Sequence, residues 1–289
     1  MLAIFLALFG SFWFAASMTF INRGVLSIDY FRGLLANLGV NTLFLWLYIL
    51  LFVGHIDLWV PVNGVFIAVG LFVPGVARFL IFKGMERLGA TISSCLTNSA
   101  PLFAIAIAMA FLGEHPTATN LLGAISIVSG IIALSWKGTT KTWRTRDLAF
   151  PLTAALLFAA RDNLVRFAVV QIRSPVTGAA IAATTSFLTM SAMYLRFGEK
   201  KPMPPFAARG FRYFAISGFM NCLSYLLTYT ALGMERVSII SPLVNASSLF
   251  VVPLSMLVLK DVETLSERKI CATVLVIVGV FLISWEKLQ

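Results

Sequence analysis

Three ionisable side chains lie in the middle of an otherwise apolar stretch in the second half of the chain. The segment FAARDNLVRF, residues 158–167, contains Arg161, Asp162 and Arg166. The apolar residues around it extend from about 148 to 171, which is long enough to cross a bilayer. A charged side chain near the bilayer centre costs at least ~2.5–3.5 kcal/mol, so such groups normally face a protein interior or a water-filled cavity. These residues are therefore the first candidates for binding a polar ligand.

The spacing of these charges indicates how they could pair. Asp162 and Arg166 are four residues apart, so they share a helix face and can form an ion pair. Arg161 points about 100° away around a helix and has no acidic residue three or four positions from it. We therefore predict that Arg161 contacts an anionic group of the substrate. The alternatives are a structural network in which Arg161 also pairs with Asp162, and an Arg166 that reaches the lipid headgroups.

Arg78 is a further cation within a predicted span. It lies five residues before Lys83, about 8 Å from that end of its helix at a rise of about 1.5 Å per residue. Pro74 and Gly75 just before it are expected to kink the helix, which is tolerated where the freed backbone groups line a cavity or a neighbouring helix. Arg78 is predicted either to bind the substrate or to extend to the headgroups.

Uncharged polar side chains within the predicted spans form a second group of candidates. Such residues also serve as packing contacts between membrane helices, so both roles stay open. Tyr225 is favoured because a ring with a hydroxyl suits an amphipathic ligand. The candidates are Asn37 and Asn41 in the second span, Asn98 in the fourth, Asn221, Ser224 and Tyr225 in the eighth, and Asn245 in the ninth.

The composition predicts a membrane protein. Of the 289 residues, 59% are hydrophobic and 12% are charged, and the mean hydropathy is +0.92, whereas a soluble domain carries roughly 25% charged residues. The apolar residues come in runs close to the ~20 residues that cross a bilayer. We predict an all-α polytopic membrane protein with ten transmembrane helices, at 1–20, 33–53, 63–82, 90–112, 119–136, 148–170, 176–195, 211–232, 238–259 and 270–285.

Residues for metal binding or covalent catalysis are scarce. Cys95, Cys222 and Cys271 fall in separate spans without a CxxC spacing, and His55 and His115 lie in predicted loops, so we expect no metal, no cofactor and no enzymatic activity. The net charge of +10 resides mostly in short loops that contact lipid headgroups, so no nucleic acid is expected. The expected partners are the lipid bilayer and a small-molecule substrate. We expect a monomer or homodimer in the plasma (inner) membrane.

The chain contains an internal duplication. GMERLGATISS begins at Gly84 and GMERVSIISPL begins at Gly233, an offset of 149 that also pairs Glu114 with Glu263. Each unit contains five predicted spans, and because five is odd the second unit enters from the opposite side. Inverted repeats recur in secondary transporters, which bind substrate near the bilayer midplane where the halves meet. We assign 1–137 and 148–289 to the two repeats and 138–147 to a basic linker.

The duplication also bears on the buried charges. FWFAASMTFINR in the first span aligns with LLFAARDNLVRF in the sixth, so Ser17 and Met18 stand where Arg161 and Asp162 stand. One copy of this element forms without the charges. They are therefore an addition to the second repeat, which favours a role in substrate recognition.

The acidic residues near the span ends are predicted to be structural. Glu114 and Glu263 follow the fourth and ninth spans. Because a helix C-terminus disfavours an acid, each is predicted to cap the helix that comes next. The two GMER motifs are predicted to contain the local pairs Glu86 with Arg87 and Glu235 with Arg236.

Each repeat carries the same series of motifs. The first helix is rich in aromatic residues (FGSFWFAASMTF), Arg32 opens the second, and FKGMERLGATISS and YTALGMERVSIISP provide small-residue turns. The next helix bears Asn, Ser and Pro before a Glu (LTNSAPLFAIAIAMAFLGEHPT), and a glycine-bearing helix completes the unit (LLGAISIVSGIIALSW). This series resembles the EamA-type carriers of the drug/metabolite transporter superfamily. The resemblance implies ten helices around a central cavity, transport of small polar metabolites, and cytoplasmic termini.

The distribution of basic residues implies the opposite orientation. Apart from Arg78, Arg161 and Arg166, nineteen Lys and Arg remain, and sixteen of them lie in the loops and helix ends on the side opposite the termini. Cytoplasmic loops carry an excess of Lys and Arg, so this count places both termini outside the cytoplasm. The two expectations conflict, and a reporter fused to the C-terminus distinguishes them.

Together these features predict a secondary transporter that moves a small zwitterionic or anionic metabolite, such as an amino acid, by alternating access. Two alternatives remain, an exporter of lipophilic drugs or organic cations and a non-transport membrane scaffold. Two or three buried arginines against one aspartate disfavour a cationic substrate, because a positive cavity repels cations. A scaffold would have no need of buried charges.

Overall fold

The computed structural model describes residues 1–54, 58–73, 75–88, 90–135, 144–197, 209–247, 249–250, 253–254 and 267–285. His55, Pro74, Ser248, Glu263 and most of the basic linker lie outside the described residues. The helices are α1 (Leu2–Gly24), α2 (Tyr30–Phe52), α3 (Asn63–Phe72), α4 (Gly75–Leu88), α5 (Ala90–Thr97), α6 (Ala100–Phe111), α7 (Ala118–Ser135), α8 (Ala149–Val169), α9 (Pro175–Phe197), α10 (Arg209–Met234), α11 (Val237–Asn245) and α12 (Glu267–Trp285).

The predicted all-α polytopic membrane fold is confirmed. Each predicted span coincides with one helix or with two consecutive helices, although the second part of the ninth span lies largely outside the described residues. Among the described residues, five helical segments are long and apolar enough to cross a membrane. They are Leu2–Gly24, Phe31–Phe52, Asn63–Leu88, Thr145–Val169 and Pro175–Arg196.

The third span is interrupted. Helix α3 ends at Phe72, Val73 is extended (φ −126°, ψ 129°), and α4 begins at Gly75. The Ser186 hydroxyl of α9 contacts this interruption, lying 3.0 Å from the Gly70 carbonyl and 2.7 Å from the Val73 carbonyl. The last carbonyls of a helix lack partners within it, so Ser186 supplies a hydrogen-bond donor where α3 ends. The expected kink is therefore a break in the helix.

The fourth and ninth spans are interrupted at equivalent positions. Helix α5 ends at Thr97 and α6 begins at Ala100, while α11 ends at Asn245. At the offset of 149 residues, Thr97 corresponds to the residue just after Asn245. Non-helical backbone at membrane depth is tolerated only inside the protein or along a water-filled cavity. Both interruptions therefore lie where the protein interior can accommodate polar groups.

Small residues bring the two repeats together. In α1, the Ser17 hydroxyl donates to the Ser217 carbonyl of α10 at 2.9 Å. A Cβ added to Gly10 of α1 would lie 3.0 Å from the Thr228 hydroxyl of α10. Close approach through glycine and serine is the usual way in which membrane helices pack. The contact between α1 and α10 thus joins the first repeat to the second.

Candidate functional site

The charges of the segment 158–167 form a compact network on α8. The Arg161 guanidinium donates to Asp162 Oδ1 through Nε (2.9 Å) and Nη2 (2.6 Å). Ser241 of α11 donates its hydroxyl to Asp162 Oδ2 at 2.6 Å. The Asp162 side chain is 4% exposed and that of Arg161 is 19% exposed. Each carboxylate oxygen therefore has a partner, and the ion pair is nearly enclosed.

The predicted ion pair between Asp162 and Arg166 is wrong. Arg166 Nη1 donates instead to the Leu232 carbonyl in the last turn of α10, at 2.6 Å. A cation is favoured there because the last carbonyls of a helix are unpaired and carry the negative end of its dipole. Arg166 holds α8 and α10 together and does not pair with Asp162, and its extension toward the headgroups stays a prediction.

Arg161 pairs with Asp162, as the alternative of a structural network predicts. Its long side chain bridges the angular offset to Asp162, and its Cζ lies 5.4 Å from the centroid of the Phe158 ring. The expectation that its partner must come from another helix or from a ligand is therefore wrong. Contact between Arg161 and a substrate stays a prediction.

Two tyrosines of α10 complete this region. The rings of Tyr225 and Tyr229 stack with their centroids 5.7 Å apart, and both lie in the neighbourhood of Arg161. Tyr229 is buried, and its hydroxyl has no hydrogen-bond partner among the described residues. Sequence reasoning selected Tyr225 and missed Tyr229, although the spacing of four residues indicates that both lie on one face.

Helix α4 extends beyond the end of the apolar run that contains Arg78. Helix α4 continues to Leu88, ten residues beyond Arg78, which is about 15 Å at 1.5 Å per residue. The Nη1 atom of Arg78 is buried and has no hydrogen-bond partner among the described residues. Within that part of the chain, no acid forms a salt bridge with it. Arg78 is therefore a cation without a counter-charge, which Arg161 is not.

The packing of α4 against α8 places Arg78 at a similar level along the helix axes to the ion pair. Gly84 of α4 lies against Pro151 of α8, where an added Cβ would be 3.1 Å from the proline ring. The two helices belong to the third and sixth spans, which run in opposite directions. Arg78 is six residues before Gly84, and Leu157 is six residues after Pro151. Because the helices are antiparallel, Arg78 and Leu157 lie at the same level along the helix axes. Arg161 is four residues further along α8, about 6 Å away along the helix axis.

Three of the uncharged candidates make contacts that explain them by packing. The Asn37 amide of α2 donates to the Ser217 hydroxyl of α10 at 2.7 Å. Asn245 donates to the Ser241 carbonyl of its own helix at 2.8 Å. Ser224 lies on the face of α10 that meets α1, because a Cβ added to Gly10 would lie 3.5 Å from its carbonyl. Their roles in substrate binding stay predictions.

The other two uncharged candidates lie at less settled positions. Asn98 is half-buried in the turn between α5 and α6, where the fourth span is interrupted. Asn221 is buried within α10, and neither its amide nitrogen nor its amide oxygen has a partner among the described residues. Asn221 is thus the stronger candidate for binding a polar group.

Glu114 caps a helix of the other repeat. Its carboxylate oxygens accept hydrogen bonds from the Val237 and Ser238 backbone amides at 2.8 and 3.0 Å, at the start of α11. A carboxylate at a helix N-terminus satisfies unpaired amides and is favoured by the helix dipole. The predicted capping role is confirmed, but the capped helix is α11, across the interface between the repeats, and not α7.

The local pair predicted for the first GMER motif is also wrong. Arg87 pairs with Asp147, just before α8, at 3.2 Å, and Glu86 pairs with Lys83 at 3.1 Å. Arg87 thus links the end of the third span to the start of the sixth. In the second motif, the Glu235 carboxylate accepts a hydrogen bond from the Arg236 backbone amide at 3.2 Å.

Comparison with known proteins covers nearly the whole chain. The family model described as the EamA-like transporter family matches twice, at residues 1–136 and 147–285. A solved structure, described only as the crystal structure of a protein, is similar with a TM-score of 0.79 and 13% sequence identity, and the match covers 98% of each chain. At that identity the likeness shows the fold alone. No curated protein matches the chain.

Proposed function

Because the chain belongs to the EamA-like transporter family and is therefore a membrane transporter, we propose that its substrate is a small metabolite with a carboxylate. The substrate would be an anion or a zwitterion such as an amino acid. The observation that carries this proposal is Arg78, whose buried Nη1 has no partner among the described residues and whose level on α4 is similar to that of the pair Arg161 and Asp162 on α8.

The charges of the site favour an anionic group. Arg161 and Asp162 neutralise one another, and Arg166 is held by the carbonyl end of α10. Arg78 is left as the charge without compensation in this part of the described chain. An opposite charge in a site of low dielectric is attracted strongly, and an organic cation would be repelled. A substrate carboxylate would supply the counter-charge that Arg78 lacks.

The same region can also accept the ammonium group of a zwitterion. The stacked rings of Tyr225 and Tyr229 lie in the neighbourhood of Arg161, and Tyr229 is also near Asp162. A cation over the face of a tyrosine ring gains roughly 0.5–2 kcal/mol. This combination suits an amino acid better than a dicarboxylate, because both signs of charge have a partner.

Contacts at opposite ends of the protein support alternating access between the repeats. Glu114 follows the fourth span and binds the start of α11, whereas Arg87 ends the third span and binds Asp147 at the start of the sixth. Successive spans end on alternate sides, so these two contacts lie on opposite sides of the membrane. Both are polar contacts that can open and reform. We propose that each opens in one half of the transport cycle.

The first test concerns Glu114. Glu114→Ala leaves two buried backbone amides at the start of α11 without an acceptor, and each such loss costs about 1–3 kcal/mol. We expect the variant to have a clearly lower Tm than the wild type, measured by thermal unfolding in detergent.

Glu86→Ala is the matched control for this experiment. Glu86 is an exposed acid whose pair with Lys83 lies at the surface, where a salt bridge contributes roughly 0–1 kcal/mol. Its Tm should stay close to that of the wild type. Equal Tm values for Glu114→Ala and the wild type would contradict the role of Glu114 in holding α11.

Counterflow in liposomes tests the proposed substrate class. The purified protein would be reconstituted, and the uptake of labelled amino acids, organic anions and organic cations would be compared with that of protein-free liposomes. We expect uptake of amino acids or organic anions and none of the cations. Uptake of cations alone would contradict the proposal, and so would the absence of uptake across the whole panel.

A further inference from the structure

Three buried asparagines, Asn41, Asn120 and Asn221, have amide groups without hydrogen-bond partners in the described part of the chain. Two of them lie on the neighbouring helices α2 and α10. Asn41 of α2 is 0% exposed and Asn221 of α10 is 1% exposed. In each residue, both the nitrogen and the oxygen of the amide are unpaired. Buried polar side chains in proteins are almost always hydrogen-bonded, so unpaired amides of this kind need an explanation. Both Asn41 and Asn221 are among the polar candidates that the sequence provides.

The two asparagines lie at the same level of neighbouring helices. One turn earlier on each helix, the Asn37 amide donates to the Ser217 hydroxyl at 2.7 Å. Helices α2 and α10 run in the same direction there, because Gly33 meets Phe214 one turn earlier still. Residues four positions apart point in similar directions on a helix. Asn41 and Asn221 therefore follow the hydrogen-bonded pair Asn37 and Ser217 into the same groove between α2 and α10.

The neighbouring helix α1 has its hydroxyl donors committed elsewhere. Ser11 donates to the Leu8 carbonyl, Ser17 to the Ser217 carbonyl, and Thr19 to the Ala15 carbonyl. Helix α1 packs along α10 on the side next to this groove. The three hydroxyl groups of α1 therefore donate to backbone carbonyls, and they are not available as donors to the amides of Asn41 and Asn221.

The equivalent contact in the other half of the molecule contains a hydrogen-bonded serine. By the duplication, the contact of α2 with α10 corresponds to that of α9 with α3. There the Ser186 hydroxyl lies within hydrogen-bond distance of the Gly70 and Val73 carbonyls, and Ser186 has no unpaired polar atom. The fold can therefore satisfy this helix contact with a single serine. The two amides in the α2–α10 groove exceed what packing requires.

We propose that Asn41 and Asn221 form an uncharged subsite that binds a neutral hydrogen-bonding group of the substrate, such as a carboxamide or a hydroxyl. An amide supplies both donors and an acceptor, so two amides can enclose a group that also donates and accepts. This inference rests on the proposed function, because it assigns the part of the substrate remote from the carboxylate.

The position of the subsite suits a small substrate. Tyr225, which lies in the neighbourhood of Arg161, comes one turn after Asn221 on α10, about 6 Å along the axis. An amino acid that places its carboxylate toward Arg78 and its ammonium toward the tyrosines can extend a short polar side chain to Asn41 and Asn221. An apolar side chain of the same length would leave both amides unpaired, and a site built for hydrogen bonds rejects such an analogue strongly.

Leucine substitutions test the subsite with L-glutamine and L-methionine, which have side chains of similar length. We expect the wild-type protein in liposomes to take up glutamine at least tenfold faster than methionine. In Asn41→Leu and Asn221→Leu the preference should fall to about threefold or less, because the groove no longer offers hydrogen bonds. Their Tm should equal or exceed that of the wild type, because removing an unpaired buried amide does not destabilise the fold.

Ser217→Ala is the matched control. It breaks the hydrogen bond that Asn37 makes one turn away, so it should lower the Tm and leave the preference for glutamine unchanged. Persistence of the preference in both leucine variants would overturn the subsite, and so would its absence in the wild type. A Tm that falls in the leucine variants as it does in Ser217→Ala would show a structural role and would also overturn it.

The failure of the subsite and the failure of the proposed function give different results. Uptake of amino acids without any preference for polar side chains overturns the subsite alone. If no amino acid or organic anion is taken up, the proposed function fails. The subsite is then tested by the change in Tm on addition of 10 mM L-glutamine, since a ligand raises the Tm of the state that binds it. A shift in the wild type that both leucine variants lose supports the subsite, and no shift in the wild type overturns it.

Discussion

Asp162→Ala is expected to destabilise the protein more than the removal of Asp162 and Arg161 together. Asp162 is buried, pairs with Arg161 and accepts a hydrogen bond from Ser241. Without the carboxylate, the guanidinium stays in the interior with no counter-charge. Breaking a buried ion pair from one side costs about 3–5 kcal/mol, whereas replacing both members by apolar residues of similar size is often neutral or stabilising. Arg161→Met combined with Asp162→Leu should therefore regain much of the loss.

Thermal unfolding of the three proteins in one detergent measures this effect. We expect the wild type and the double variant to have similar Tm values, and the Tm of Asp162→Ala to be well below both. Ser241→Ala provides an intermediate case, because it removes one hydrogen bond from the carboxylate and keeps the ion pair. A double variant less stable than Asp162→Ala would contradict the account, since the ion pair would then stabilise the fold beyond its own neutralisation.

Arg78→Met is expected to reduce transport of a carboxylate substrate at least 100-fold while leaving the fold intact. The guanidinium has no counter-charge within the described residues and a buried Nη1 without a partner, so its removal relieves an unpaired charge. The bound substrate, in contrast, loses its charged hydrogen bonds, each of which contributes about 1.5–3 kcal/mol. The transport rate of Arg78→Lys should lie between those of the wild type and Arg78→Met. Lysine keeps the positive charge but lacks the planar guanidinium that binds a carboxylate through two hydrogen bonds.

Initial counterflow rates, normalised to reconstituted protein, measure the loss. Lys83→Met is the matched control, because it removes a cation from the same helix five residues away at an exposed pair with Glu86. Its transport should stay near that of the wild type, and the Tm of Arg78→Met should be equal or higher. Normal transport by Arg78→Met would remove Arg78 from the binding site.

The membrane architecture could be predicted from the sequence because it depends on composition and length. Apolar runs identify the spans, and the interruptions follow local signals. Pro74 and Gly75 come directly after the end of α3, and Pro101 stands in the first turn of α6. The repeat is visible because both copies retain motifs such as GMER. None of these inferences requires knowledge of how the helices pack.

The partners of the charges could not be predicted, because neighbouring helices decide them. The rule that residues four apart can pair is valid for one isolated helix, and it suggested Asp162 with Arg166. In the folded protein Ser241 occupies one carboxylate oxygen and the Leu232 carbonyl draws Arg166 away. Glu114 likewise caps a helix 123 residues later in the chain, which no local pattern indicates.

The end of helix α4 could not be predicted, for a different reason. The apolar run ends near Lys83, but α4 continues through charged residues to Leu88. Helices can extend beyond the hydrocarbon core into the polar interface, so the end of an apolar run is not the end of a helix. The sequence also does not distinguish Asn37 from Asn41, because residues four positions apart lie on the same face of a helix. The position of Ser217 on α10 determines which of them is hydrogen-bonded.

Competition between an amino acid and its methyl ester tests the central claim most directly, namely that the carrier recognises a carboxylate. The labelled amino acid that is taken up fastest in the liposome panel would be challenged with the same unlabelled amino acid or with its methyl ester. The ester lacks the carboxylate and carries a net positive charge. The account predicts that the amino acid competes and that the ester is at least 100-fold weaker. An ester that competes as well as the amino acid would contradict it.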